Sequence, residues 1–257
     1  RNVYNRDNLI ASVQKSPVDP PCVKGGGDFA LAIARALRNG WEINSTFLVC
    51  NPMWEGPTDL DGFKLVPMPS RRSEDLSAML DSCTSGHTAI ALLQLSPYGF
   101  DDTGSPFWLL NGLRSWKNAD PSGHKLITYF HELYATSVPW RRGFWNSPFQ
   151  RICASSISRL SDIAITSMER YVERLGKWDQ TKVGLIPRMP VVSNIGEPAQ
   201  LPALGDRPRR LTVSGSVIAT QQIYQRHYET LADAISARGH REVVEGADPW
   251  NGPPTQV

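Results

Sequence analysis

Apolar positions along the first 190 residues switch between two rhythms. Short runs of aliphatic and β-branched residues carry the strand period at Asn8–Val13, Ile43–Cys50, Phe63–Val66, Ala89–Leu95, Leu126–Phe130, Ile163–Ile165 and Lys182–Ile186. The Ala89–Leu95 run, AIALLQL, is apolar almost throughout, as a strand covered on both faces is. Between most of these runs, apolar residues fall three and four apart, the spacing of a helix with one buried face. Asp28 is placed to cap a helix with Phe29, Ile33, Ala36 and Leu37 on one side, and Gly40 to end it. Ser73 precedes a helical stripe of Leu76, Met79 and Leu80. Pro106 suits the first turn of a helix carrying Phe107, Leu110, Leu113 and Trp116. Ser147-Pro148-Phe149-Gln150 reads as a helix start with Phe149, Ile152, Cys153, Ile157 and Leu160 buried behind it. Thr166-Ser167-Met168-Glu169 reads as a second capping box, opening a helix to about Leu175.

About seven strands mostly separated by helices predict the α/β class, with a doubly wound, Rossmann-like parallel sheet and right-handed crossovers. From Pro187 to Arg210 the rhythm stops, and Pro187, Pro190, Pro198, Pro202 and Pro208 punctuate the chain. The expected organisation is an N-terminal Rossmann-like domain over 1–190, an interdomain linker over 191–210, and the start of a second domain over 211–257. That second part offers strands at Leu211–Val213 and Glu242–Val244 and a helix near Gln221–Arg238. Two strands and a helix bury little core, so a truncated second Rossmann-like unit is expected.

Composition narrows the function classes. In 257 residues the net charge is +2, too balanced to point to nucleic acid. Cys22, Cys50, Cys83 and Cys153 have no C-x-x-C spacing, which suits a reducing cytoplasm rather than a disulfide framework or a zinc site. No run approaches the roughly 20 apolar residues of a membrane span. Asp101-Asp102 lacks a third ligand at metal spacing, and G-x-S-x-G, Walker A and H-E-x-x-H patterns are absent, so no metal is expected.

Candidate chemistry gathers at three turns. Gly25-x-Gly27-x-x-Ala30 before the first helix matches a dinucleotide fingerprint, but Cys50-Asn51 stands where a ribose-binding acid belongs. The glycines still allow close backbone approach, and a helix N-terminus offers free N–H groups. In a 3-2-1-4 strand order, winding reverses between the first and fourth strands, and ligands bind at that switch point. The Gly25–Asp28 turn, the Tyr98-Gly99 loop and His131-Glu132 would all flank it. A His–Glu pair there can donate, accept and titrate near neutral pH. The plain alternative is a histidine that bonds a neighbouring loop. Pro139–Trp145, PWRRGFW, sets Arg141 and Arg142 among Trp140, Phe144 and Trp145, a composition for an acceptor or an anionic membrane surface. An ordinary loop plugging the sheet edge is the other reading.

Together these residues resemble a known family. Gly26-Gly27-Asp28-Phe29 ahead of a helix with Ala36-Leu37, Tyr98-Gly99, Phe130-His131-Glu132 and Ile165-Thr166-Ser167 resemble, in order and spacing, GT-B glycosyltransferases of the family-4 type. PFWLLNGL…W and HELYA…PWRRGFW are similar to a bacterial subgroup, and the resemblance covers about Asn8 to Asn194. It implies two Rossmann-like domains around a cleft and a metal-independent hexosyltransferase of the retaining type. The nucleotide-sugar would be a co-substrate, with no further cofactor, and would be held chiefly by the C-terminal domain; the acceptor would lie on the N-terminal one. His131 and Glu132 would be catalytic, and Gly26, Gly27, Asp28, Tyr98, Gly99, Thr166 and Ser167 substrate-binding. Trp140, Arg141, Arg142 and Trp145 would touch the acceptor or a membrane. The expected activity is transfer of a sugar to a saccharide or lipid-linked acceptor in surface-polysaccharide biosynthesis, in the cytoplasm or on the inner face of the membrane. A nucleotide-sugar epimerase of the same architecture and a carbohydrate- or nucleotide-binding module without chemistry are the rivals.

Overall fold

A computed structural model of the chain describes residues 9–14, 25–84, 89–136 and 138–191, with strands 210–215 and 241–246 and isolated positions near them. The chain divides into two compact units, Arg1–Gly196 and Glu197–Val257.

The first unit is built on one sheet in the order β3-β4-β2-β1-β5-β6-β7. The strands are β1 (Leu9–Gln14), β2 (Asn44–Val49), β3 (Asp59–Leu60), β4 (Phe63–Pro67), β5 (Ala89–Leu95), β6 (His124–Phe130) and β7 (Ile163–Thr166). All neighbours pair in parallel except the two-residue β3, which turns back on β4. The six parallel strands therefore follow the doubly wound order, with winding reversing between β1 and β5. The expected seventh parallel strand at 182–186 does not form. Gln180–Lys182 is a three-ten turn whose start is held by Asp179, and Gly184 has φ +74°. Val183 and Leu185 point outward, so an apolar run broken by a glycine turn was misread as a strand.

Strand alternation divides the core. Phe47 and Val49 of β2 join Phe63 and Leu65 under α1 (Gly25–Trp41), against Ala30, Leu31 and Ala34. Leu48 and Cys50 point the other way, into a larger core with α2 (Ser73–Thr84), α4 (Phe107–Ala119) and α5 (Arg142–Leu160). A four-residue α3 (Pro97–Phe100) precedes α4, and α6 (Glu169–Trp178) follows β7. Leu110, Leu113 and Trp116 of α4 are buried as their spacing requires, while Phe107 is partly exposed. Lys117 anchors this layer to the sheet. It donates to Leu160 O at 2.9 Å and pairs with Asp162, whose carboxylate accepts from Leu126 N–H at 2.7 Å.

Four helix boundaries differ from their local signals. The glycines of Gly25–Gly27 form the first turn of α1 itself, and Asp28 lies inside that turn rather than capping it. At its other end α1 runs through Gly40, and Glu42 takes the left-handed closing position at φ 56°. Arg38 and Leu37 carbonyls accept from Glu42 and Ile43. Helix α5 begins at Arg142, so Pro148 is internal and the Phe144 carbonyl loses its usual partner. Phe149 and Ile152, expected in its buried stripe, are exposed, and Cys153 and Ile157 carry the burial. Met168 caps α6 without a side-chain bond, so the second capping box is not made.

The second unit pairs β8 (Arg210–Gly215) with β9 (Arg241–Gly246) in parallel, Leu211 beside Glu242 and Val213 beside Val244. The helix expected near 221–238 lies largely outside the described residues.

A left-handed glutamate carries a Cβ penalty that glycine lacks, and the last turn is otherwise exposed. Glu42→Gly should raise unfolding stability by about 1 kcal/mol, read as a higher urea midpoint at unchanged m-value. A lower midpoint would contradict the assignment of the cap.

Candidate functional site

The site is assembled at the carboxyl ends of β5 and β6. Gln94 stands beside Tyr129, and Leu95 beside Phe130, in the parallel register. Neighbours in register share a face. Leu95 and Phe130 enter the α4 core, so Gln94 and Tyr129 face α1. His131 comes two residues after Tyr129 and is held to β5 by its N–H, which donates to Leu95 O at 3.0 Å.

Three rings then pack across the sheet edge. Phe29 of α1 lies on Tyr129 with centroids 4.6 Å apart, and His131 lies 4.6 Å from Tyr129. Phe29 and His131 meet edge-on at 5.1 Å and 82°. Since Phe29 is two residues beyond Gly27, this contact brings the first turn of α1 to the histidine. Gly27 and Asp28 of that turn are buried; Gly26 belongs to the same turn. The Tyr129 hydroxyl donates to Met189 O at 2.8 Å. Burial raises its phenol pKa, and a bond with the Ser167 hydroxyl opposes that rise. Ser167 therefore stands near the ring cluster.

The imidazole does not titrate near neutrality, contrary to the expectation for a strand-end His–Glu pair. Burial pushes its pKa down to about 4. Nor does Glu132 order it: the Glu132 carboxylate is exposed and accepts from Ser96 Oγ at 3.2 Å. The partner of His131 is Gln94, whose Oε1 lies 2.8 Å from His131 Nε2. A carbonyl oxygen only accepts, so Nε2 carries the proton. At neutral pH the ring can donate and accept hydrogen bonds, but it carries no charge.

A second glutamine ties the surrounding loops. Gln150 is buried; its Oε1 accepts from Ala135 N–H at 2.7 Å. Its Nε2 donates to the Tyr98 hydroxyl at 2.8 Å and to Thr103 O at 2.6 Å. Gly104, at φ +72°, is required beside it, because a Cβ there would come within 2.7 Å of Gln150 Nε2. Tyr98 is thus fixed to α5, and Gly99 is turned by its N–H bond to Ser96 O at 2.7 Å. The Ser96–Glu132 bond links this loop to the one after β6.

Thr166 does not reach the site as a free hydroxyl. It is fully buried and donates to Phe130 O at 3.1 Å. Its backbone bonds Pro187 and Met189, which makes it a joint between β7 and the following segment. Trp140, Arg141, Arg142 and Trp145 are exposed where the chain enters α5, with the Trp145 indole N–H donating to Pro139 O at 2.9 Å. Sequence reading missed Phe29 as a ring partner and Gln94 as a site residue, and gave Gln150 only a part in a helix start. A glutamine alone within AIALLQL was the available signal.

Among the described residues no group of three or more His, Cys, Asp or Glu could hold a metal ion, and no helix is long and apolar enough to cross a membrane. No family model matches the chain, and no curated protein matches it. Solved structures do. A protein assigned as a UDP-N-acetylglucosamine 2-epimerase from Listeria monocytogenes is 12% identical, with TM-score 0.46 over 94% of this chain and 63% of its own. An α,α-trehalose 6-phosphate synthase from Burkholderia multivorans is 12% identical, with TM-score 0.48 over 92% of this chain and 64% of its own. A short-chain dehydrogenase/reductase mutant from Serratia marcescens gives TM-score 0.37 at 12% identity, over 93% of this chain and 96% of its own. The chain spans under two thirds of the first two. The α/β, parallel-sheet architecture rests on its own strand order, and likeness this remote assigns no chemistry.

A histidine held neutral in the fold but free to protonate when unfolded links stability to pH. Its contribution is complete above about pH 6.5, is lost as pH falls toward about 4, and changes little below that. The His131 Cε1–H resonance should stay fixed from pH 8 to 5.5. The acid-side loss of stability between pH 6.5 and 4 should be shallower in His131→Asn. A His131 resonance titrating with a midpoint near 6.5 would overturn the burial assigned to the ring.

Proposed function

We propose that this chain belongs to a glycosyltransferase that moves a sugar from a nucleotide-diphosphate donor to a saccharide or lipid-linked acceptor. The observation that carries the reading is the meeting of His131 with the first turn of α1, through Phe29, beside the switch point of a doubly wound sheet. Ligands of such sheets bind outside the carboxyl ends of the strands at that point. The polar groups gathered there are a neutral imidazole, the buried Asp28 and the exposed Glu132. They suit sugar hydroxyls better than phosphate oxygens, so the diphosphate would lie on other residues. The 211–257 segment, read as the start of a second Rossmann-like domain, belongs to the part that would hold it.

In the reaction, the bond from the anomeric carbon to the diphosphate oxygen breaks and one to the acceptor oxygen forms, and the acceptor hydroxyl gives up its proton to the departing diphosphate. His131 would orient hydroxyls of the transferred sugar without bearing charge, so it does not offset the charge of the leaving diphosphate. Glu132, tied to Ser96, would position the acceptor side. Ordering both substrates and excluding water are what remain for this unit to contribute, since water competes for the donor.

The face of α5 favours a lipid-linked acceptor. Trp140, Trp145, Phe149 and Ile152 are 81%, 68%, 57% and 54% exposed. From Leu133 to Ser161 the chain has no acidic residue but holds Arg141, Arg142, Arg151 and Arg159. Exposed aromatic side chains beside exposed Arg141 and Arg142 match the chemistry of an anionic bilayer surface.

His131→Ala should lower sugar transfer by at least tenfold, about 1.4 kcal/mol of transition-state stabilisation, with circular dichroism unchanged. Near-normal transfer would refute the role, and an isomerised nucleotide-sugar formed without acceptor would identify an epimerase. Trp145→Ser combined with Phe149→Ser should cut co-sedimentation with phosphatidylglycerol-containing vesicles at least fivefold. Binding equal to the parent protein's would remove the membrane face.

A further inference from the structure

We propose that Gln94 is the positioning and selectivity residue of this site. Its carbonyl fixes the tautomer of His131, and its unpaired amide N–H is a second ligand contact, so together they read a neutral hydroxyl group and reject phosphate. The proposal rests on the sugar-transfer reading for the identity of the hydroxyl, and on geometry for the rest.

Gln94 is only 5% exposed, within a strand whose other residues are apolar. Its two amide atoms are used unequally. Oε1 takes the His131 Nε2 proton at 2.8 Å, while Nε2 has no hydrogen-bond partner among the described residues. A buried donor left unmade costs about 1–3 kcal/mol, so an apolar residue would serve the sheet better unless something completes the amide. The glutamine is at the ligand edge of the sheet, level with Tyr129 and bonded to the one imidazole there.

The ring has little freedom to exchange its nitrogens. Phe29 meets it edge-on and Tyr129 packs against it at a tilt of 49°, so rotation would disturb both contacts. With the proton on Nε2, the other nitrogen, Nδ1, is an acceptor, and no described group donates to it. Burial opposes a second proton. A hydroxyl can donate to Nδ1, whereas a phosphate oxygen would meet it lone pair to lone pair. The free amide N–H of Gln94 supplies the complementary donor. A donor and an acceptor without charge make a polyol site rather than an anion site.

The test uses the intact chain with Gln94→Met, which keeps the volume and removes both amide functions, and Gln94→Glu, which adds a carboxylate. Nitrogen-15 long-range correlation spectra should show His131 as the Nε2–H tautomer in the parent and as a mixture in Gln94→Met. In Gln94→Glu the ring should titrate at higher pH than in the parent. By calorimetry, UDP-glucose or GDP-mannose, whichever the protein binds, should lose at least fivefold affinity in Gln94→Met, while the matching nucleoside diphosphate stays within twofold. An Nδ1–H tautomer in the parent would overturn the proposal, as would equal losses for the sugar nucleotide and the free nucleotide. A failed transfer assay would sink the catalytic reading alone, provided the tautomer and the selective loss of sugar-nucleotide affinity are both found.

Discussion

A strand covered on both faces tolerates a polar side chain only when something answers its hydrogen bonds, and β5 carries one at Gln94. That constraint organises the edge of the sheet. It sets where His131 must lie, which nitrogen of the ring holds the proton, and why Phe29 and Tyr129 close around it. The first turn of α1 is drawn in by the same packing, because Phe29 cannot cover Tyr129 unless the helix begins beside β6. The site is therefore a consequence of one polar group in an apolar strand rather than of a flexible loop.

Two buried glutamines of this unit make an informative contrast. Gln150 spends its carbonyl on Ala135 and its amide on Tyr98 and Thr103. It joins three segments and needs nothing more, which is how a structural buried amide behaves. Gln94 has half of its amide unspent. The same residue type, equally buried, thus separates into a fastener and a group awaiting a partner.

The apolar runs revealed the parallel strands, most clearly β2 and β5, which are buried along nearly their whole length, while their order followed from the doubly wound pattern. Lys182–Ile186 failed since apolar content outweighed Gly184, whose positive φ turns Val183 and Leu185 into solvent. Helix ends were less legible. Gly40 and Ser147-Pro148 are strong local signals, yet tertiary packing carried α1 past the one and started α5 before the other. His131 was visible as a strand-end residue, but its charge state was not. Burial comes from Phe29 and Tyr129, and Phe29 lies about a hundred residues away in the chain.

Charge completes the argument. A leaving diphosphate needs positive charge or oriented donors close by. His131 is neutral and Glu132 is acidic at the edge, and the turn of α1 already holds the Asp28 carboxylate. Arg141 and Arg142 are exposed instead at the entrance to α5, beside Trp140 and Trp145. Neither arginine is seen to bond a residue of the ring cluster among the described residues, and exposed positive charge of this kind can hold a molecule against an anionic surface. Under the proposed sugar transfer, then, the two tasks would fall to different groups: neutral hydrogen bonding to the sugar, and the exposed arginines to attachment.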